Sequence, residues 1–193
     1  MESRLDGKPK INPEEWVNNY GDYLYNYAYT RVSSKETAED LVQETFISGL
    51  KSVSSFRGDS TALTWLMSIL KRKIIDYYRK KSNKKEHNLS SFSSPFQDEE
   101  GIKGHWILER APKDWQRESN SPLREEEFNR IMEICLAGLP AKWRGVFVLK
   151  VMEELETSEV CKEMGCTSSN LWVILHRARL KLRECIENNW LNE

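Results

Sequence analysis

No stretch of this chain approaches the roughly 20 consecutive apolar residues that a bilayer-spanning helix needs, and the opening MESRLDGKPK lacks the apolar core of a secretory signal. A cytoplasmic chain with no membrane contact of its own is expected. Runs that alternate apolar and polar residues are missing as well; apolar positions recur at helical spacing, which predicts an all-α fold. Cysteine is scarce, and Cys135, Cys161, Cys166 and Cys185 form no CxxC, nor do His87, His105 and His176 form HxxxH. No metal site is therefore expected. The four thiols are expected to be reduced. There is no glycine loop that would cradle phosphate and no nucleophile motif. No catalytic residue is assigned, no cofactor is expected, and the chain is not expected to be an enzyme. An excess of one charge is also lacking: 29 Lys and Arg oppose 30 Asp and Glu. That balance excludes a uniformly basic nucleic-acid binder but leaves room for a local patch.

Such a patch is present. From Lys71 to Lys85 the charges are nearly all positive, whereas Asp98 to Glu100 and Glu125 to Glu127 are acidic. With 193 residues the chain should form one domain or two small ones. Between 83 and 122 the helical rhythm gives way to Ser, Asn, Lys, Gln, Pro and acidic residues, a linker of about 40 residues, far longer than a loop inside a compact domain. Two small helical domains, 1–82 and 123–193, are thus expected on either side of a long flexible linker. Within the linker, Trp106, Ile107, Leu108 and Trp115 are too apolar for a pure spacer; they either pack back on a domain or meet a partner.

The stretch Ser55 to Lys81, SFRGDSTALTWLMSILKRKIIDYYRKK, opens with a turn at Gly58 and continues as a helix that Asp59 or Ser60 can cap. Leu63, Leu66, Leu70, Ile74 and Tyr77 fall on one face, Trp65, Ile69, Arg72, Asp76 and Arg79 on another. The first face is core. The second combines rings with guanidinium groups and either is idle solvated surface or stacks on bases while neutralising phosphate. Before it, a helix opened by Asn12 and Pro13 carries Trp16, Tyr20, Tyr23, Leu24, Tyr27 and Ala28. Ser33 and Ser34 punctuate, and a second helix from about Lys35 to Val53 turns Ala38, Leu41, Val42, Thr45, Phe46 and Leu50 inward. Asp40, Gln43, Glu44 and Ile47 face outward, either as solvated surface or as a docking face.

In the C-terminal half, helices are expected from about Arg124 to Ala137 and from Ala141. LETSEVCKEMGCTSSNLWVILHRARLKLREC then reads as a short helix, a turn at Gly165, and a longer helix with Leu171, Ile174, Leu175, Ala178 and Leu182 inside. Ser168 or Thr167 can cap that helix. Ser169, Asn170, Trp172, Val173, His176, Arg177 and Lys181 lie on or near its open side, as in a helix-turn-helix or a plain helical hairpin.

The order DLVQETF, FRGDS, TWL, basic helix and RARLKLR resembles the extracytoplasmic-function group of the bacterial sigma-70 family over nearly the whole chain. The resemblance implies a non-enzymatic promoter-specificity subunit whose partners are core RNA polymerase, promoter DNA and an anti-sigma factor. It implies polymerase docking through Asp40, Gln43, Glu44 and Phe46. Around a base flipped from the −10 element it places Ser52, Phe56, Ile69 and Arg72, with Trp65 on the same face and Lys71, Lys73, Arg79, Lys80 and Lys81 tracking phosphates. Many relatives carry Asn where this chain has Arg72, which bears on base preference, since Arg favours G and Asn favours A. Contact with the −35 element falls to Ser168, Ser169, Asn170, Trp172, Val173, His176 and Arg177, and Cys161 is expected as a buried thiol. The other reading of the helix-turn-helix is a self-sufficient DNA-binding regulator.

Overall fold

The computed structural model describes residues 12–82, 93–97, 105–112 and 122–190. Lys84, Lys85, His87, the cluster Asp98 to Glu100, Trp115 and the side chain of Glu125 lie outside them. The described residues form seven α-helices and no strand, with one isolated antiparallel bridge between Phe96 and Trp106. Their contacts gather in two units, Met1–Tyr77 and Tyr78–Glu193.

In the first unit Asn12 accepts a hydrogen bond from the Glu14 amide at 3.3 Å, and a 3-10 turn, Pro13–Glu15, leads into α1 (Trp16–Val32). Trp16, Leu24, Ala28 and Val32 are buried. Ser33 takes a left-handed φ of 51°, and the Ser34 hydroxyl accepts from the Thr37 amide to start α2 (Lys35–Ser52). The expected punctuation is therefore built from a left-handed stop followed by an N-cap. Along α2, Ala38, Leu41, Val42 and Thr45 are buried as expected, but Leu50 is 52% exposed and Gly49 takes the inward position. An added Cβ at Gly49 would lie 2.9 Å from both Leu66 Cδ2 and Trp16 Cζ3. The absent side chain sets how closely α2 approaches its neighbours. Gly49→Val should therefore lower the stability of this unit by about 1–3 kcal/mol through overpacking. A helical circular-dichroism transition in urea at an unchanged midpoint would show that α2 can simply retreat.

The third helix, α3 (Ala62–Ser82), is capped by Thr61 rather than Asp59 or Ser60: its hydroxyl accepts from the Thr64 amide at 3.1 Å. Leu66, Leu70, Ile74 and Tyr78 are fully buried. Tyr78 is buried in place of the expected Tyr77; it belongs to the second unit, where a Cβ added at Gly145 would lie 2.8 Å from its Cδ1.

The second unit contains α4 (Pro122–Ala137), α5 (Ala141–Phe147) running into a π-helical turn Val148–Met152, α6 (Thr157–Met164) and α7 (Ser168–Trp190). Ile131, Leu139, Trp143, Val146, Leu149 and Val160 are buried, and so are Leu171, Ile174, Leu175, Ala178, Leu182 and Ile186 of α7, on which α4, α5 and α6 pack. Burying each such aliphatic side chain contributes about 1.5–3 kcal/mol.

The expectation of four reduced thiols is corrected: Cys135 on α4 and Cys185 on α7 form a disulfide with their Cα atoms 5.7 Å apart. The 50-residue separation along the chain concealed their adjacency. In the chain-entropy account, closing a loop of that length stabilises by about 4 kcal/mol. Cys161 and Cys166 are free, and Cys161 is half-buried rather than buried. Burial, followed by the neighbouring Cys161 thiol, pushes the Cys166 thiol up, against the lowering effect of Lys142.

Candidate partner and nucleic-acid interfaces

On α2 the side chains of Asp40, Gln43, Glu44 and Ile47 are all exposed and lie on one stripe at three- and four-residue steps. Leu50, three residues further on, joins them. Ile47 and Leu50 are 50% and 52% exposed, so the acidic and amide stripe continues into an exposed apolar pair. Phe46 is half-buried at the margin between this stripe and the core. An amphipathic helix that offers an apolar pair inside a polar rim has the form of a helix that lies in a partner's groove. Leu50 was expected inward, but the apolar pattern of α2 extends beyond the part of it that is buried.

The first unit also carries an aromatic cluster. Trp65, at the start of α3, lies between Phe56 of the preceding loop, at 5.1 Å between ring centroids, and the buried Trp16 of α1, at 6.0 Å and 69°. The loop can present Phe56 because Gly58 adopts a φ of 82°, where a side chain would be strained. Trp16 was expected as packing surface only; its indole Nε1 is buried with no hydrogen-bond partner among the described residues. From Trp65, Ile69 and Arg72 continue along the same face of α3, half-buried and exposed respectively. Ser52 is not an open donor, since its hydroxyl donates to the Ser48 carbonyl at 2.7 Å.

The basic residues diverge. The Lys71 ammonium lies 5.7 Å from the Tyr27 ring centroid, on the side of α3 that faces α1. Lys73 pairs with Glu44 at 3.1 Å, joining a residue expected to track phosphate to one expected to dock a partner. An exposed pair of this kind contributes only about 0–1 kcal/mol, so a phosphate or a partner cation can displace it. Arg79, on the last turns of α3 beyond the division at Tyr77, pairs with Glu163 of α6 at 3.2 Å.

In the second unit, a capping box between Glu156 and Glu159 opens α6, and Gly165 closes it with a φ of 58°. Thr167, rather than Ser168, caps α7: its hydroxyl accepts from the Asn170 amide at 3.2 Å. This is a helix, a three-residue turn and a second helix whose open side carries Ser168, Ser169, Asn170, Trp172, Val173 and His176, all exposed, with Arg177 half-buried. Trp172 and Val173 are 51% and 46% exposed, so Trp172 is not packed under α6.

The described parts of the expected linker lie on this unit. Gln97 donates to the His105 carbonyl at 2.8 Å and Ile107 to the Pro95 carbonyl at 2.9 Å, closing two short arms on each other. Arg110 Nε pairs with Glu184 of α7 at 2.7 Å, and Arg183 donates to the Arg110 carbonyl at 2.7 Å while its guanidinium lies 4.4 Å from the Trp106 ring. Of the linker's apolar residues, Trp106 packs back on the domain, whereas Leu108 is exposed. Arg110 and Arg183 were not singled out from the sequence, where each reads as one more surface cation.

Residues 16–84 match the family model for sigma-70 region 2, and residues 130–182 that for sigma-70 region 4. A probable RNA polymerase sigma factor of Haemophilus influenzae is 40% identical over 166 residues, which cover 84% of this chain and 84% of that protein. The ECF RNA polymerase sigma factor SigX of Bacillus subtilis is 27% identical over 168 residues, 87% of this chain and 80% of that one. Among solved structures, the sigma factor RpoE of Bartonella quintana, in complex with the anti-sigma factor NepR, is 19% identical with a TM-score of 0.42, covering 90% of this chain and 96% of that one.

Proposed function

This chain belongs to the sigma-70 family as an RNA polymerase sigma factor of the extracytoplasmic-function type, directing core polymerase to promoters, and from that membership we propose how its surfaces divide the work. Residues 1–82 act as region 2, 83–122 as the linker and 123–193 as region 4. The α2 stripe of Asp40, Gln43, Glu44, Ile47 and Leu50, with Phe46 at its margin, docks on core polymerase. Phe56, Trp65, Ile69 and Arg72 receive a base extracted from the −10 element, with Ser52 at the rim and Lys71, Lys73 and Arg79 along the backbone. Extraction costs a few kcal/mol of stacking, which an aromatic platform with a polar reader can offset. The open side of α7, from Ser168 to Arg177, enters the major groove at the −35 element.

The observation that carries this reading is the exposed apolar pair Ile47 and Leu50 at the end of the acidic stripe, in a unit that also carries an aromatic cluster. The chain acts by binding and positioning, with no chemistry of its own. It works in the cytoplasm beside core polymerase; among the described residues no helix is long and apolar enough to cross a membrane. An anti-sigma factor is its expected regulator.

Arg177 provides the test of the −35 assignment. If it reads a base, Arg177→Ala should weaken −35-dependent initiation by about 1–3 kcal/mol in run-off transcription with core polymerase. An equal loss on promoters with a scrambled −35 element would mean that it holds phosphate only.

A further inference from the structure

We propose that residues 93–97 and 105–111 form an intramolecular strap that competes with DNA for the reading face of α7, so that the −35 domain is held back until the strap leaves. The proposal rests on the assignment of α7 to the −35 element.

Three contacts fix the strap to α7 away from the reading face. Arg110 pairs with Glu184, Arg183 donates to the Arg110 carbonyl, and the Arg183 guanidinium lies over Trp106. Arg110 also donates to the carbonyls of Ser94 at 2.9 Å and Ser93 at 3.2 Å, so one side chain ties both arms to the helix. Trp106 in turn supports Phe96 at 4.5 Å between ring centroids. The Phe96 ring then lies parallel to His176, 6.5 Å between centroids and 9° from coplanar. Ser94 and Phe96 form one wall of a cavity of about 460 Å³ whose other wall is Trp172, Val173, His176 and Arg177. Those four residues are among the seven assigned to the −35 element. A major groove about 12 Å wide admits one helix. A strap standing against that helix at His176 has no room beside it, so docking must expel Phe96 from its place. The apparent affinity of the free chain for DNA is then reduced by the fraction of molecules in which the strap is closed.

The anchoring chemistry makes the test sharp. Arg110→Ala removes a cation and leaves Glu184 without this partner; both changes would weaken binding to phosphate if the strap were irrelevant. Competition predicts the opposite sign. The full-length protein is titrated onto a fluorescent duplex carrying the −35 half of a promoter that it transcribes with core polymerase. Arg110→Ala and Phe96→Ala should each tighten binding about tenfold, and the double variant should gain less than the product, since both open one strap. Circular dichroism confirms that the helices persist. Binding that is unchanged or weakened in both variants overturns the proposal. Arg177→Ala separates the two levels. If it weakens duplex binding while the strap variants fail to tighten it, the strap idea alone falls; if it has no effect on any duplex, the −35 assignment and the strap fall together.

Discussion

Replacing Ile47 and Leu50 together by aspartate should lower the affinity for core polymerase by at least about 100-fold, the cost expected when two central apolar anchors of an interface are lost. Both side chains are half-exposed on α2, so neither substitution opens a cavity in the first unit. Its stability should change by no more than about 0.5 kcal/mol, as for ordinary surface positions. The loss would then be one of binding, visible as failure to co-elute with core polymerase at an unchanged unfolding midpoint. Substituting Asp40 or Glu44 should have a smaller effect that shrinks further in high salt, because rim charges steer association more than they hold the complex. Normal co-elution of the double aspartate variant would remove α2 as the docking face.

The second large effect concerns strand opening. Trp65→Ala should slow opening at the −10 element by roughly 10- to 100-fold, corresponding to the loss of about 1–3 kcal/mol of base stacking. Core binding should be retained, since Trp65 lies on α3 rather than on the α2 stripe. Because Trp65 also packs against Trp16 and Phe56, part of its effect could come through a loosened first unit. Phe56→Ala separates the two, since Phe56 belongs to the loop and leaves the Trp16–Trp65 contact in place. Permanganate reactivity of −10 thymines in the open complex should fall in both variants. If it is unchanged in both, the aromatic cluster is structural and holds no base.

Much of this organisation was legible from periodicity. Ala38, Leu41, Val42 and Thr45 of α2, the inward residues of α7, the outward Asp40, Gln43, Glu44 and Ile47, and the turn at Gly165 lie where helical spacing puts them, because those features are set within a few residues. Errors arose where a tertiary neighbour decides. Leu50 continues an apolar pattern but is half-exposed, while Gly49 is buried because Trp16 and Leu66 close over it. The partners Cys135 and Cys185, Lys73 and Glu44, and Arg110 and Glu184 lie 50, 29 and 74 residues apart. No local rule pairs residues at such distances. The same limit hid how the linker is held: Trp106 was expected either to pack on a domain or to meet a partner, and only the structure shows Arg110 and Arg183 fixing it to α7.

The Lys73–Glu44 pair links the two large predictions. It joins α2, proposed to dock on polymerase, to α3, proposed to open the strand, so a partner that claimed Glu44 would free Lys73 for phosphate.

The most direct measurement is permanganate footprinting with run-off transcription on one promoter fragment, with this chain alone, core polymerase alone, and both together. The account predicts reactive −10 thymines and a transcript only when both are present. Tight, sequence-specific binding of the chain alone to duplex promoter, with no opening and no transcript on adding core polymerase, would contradict it.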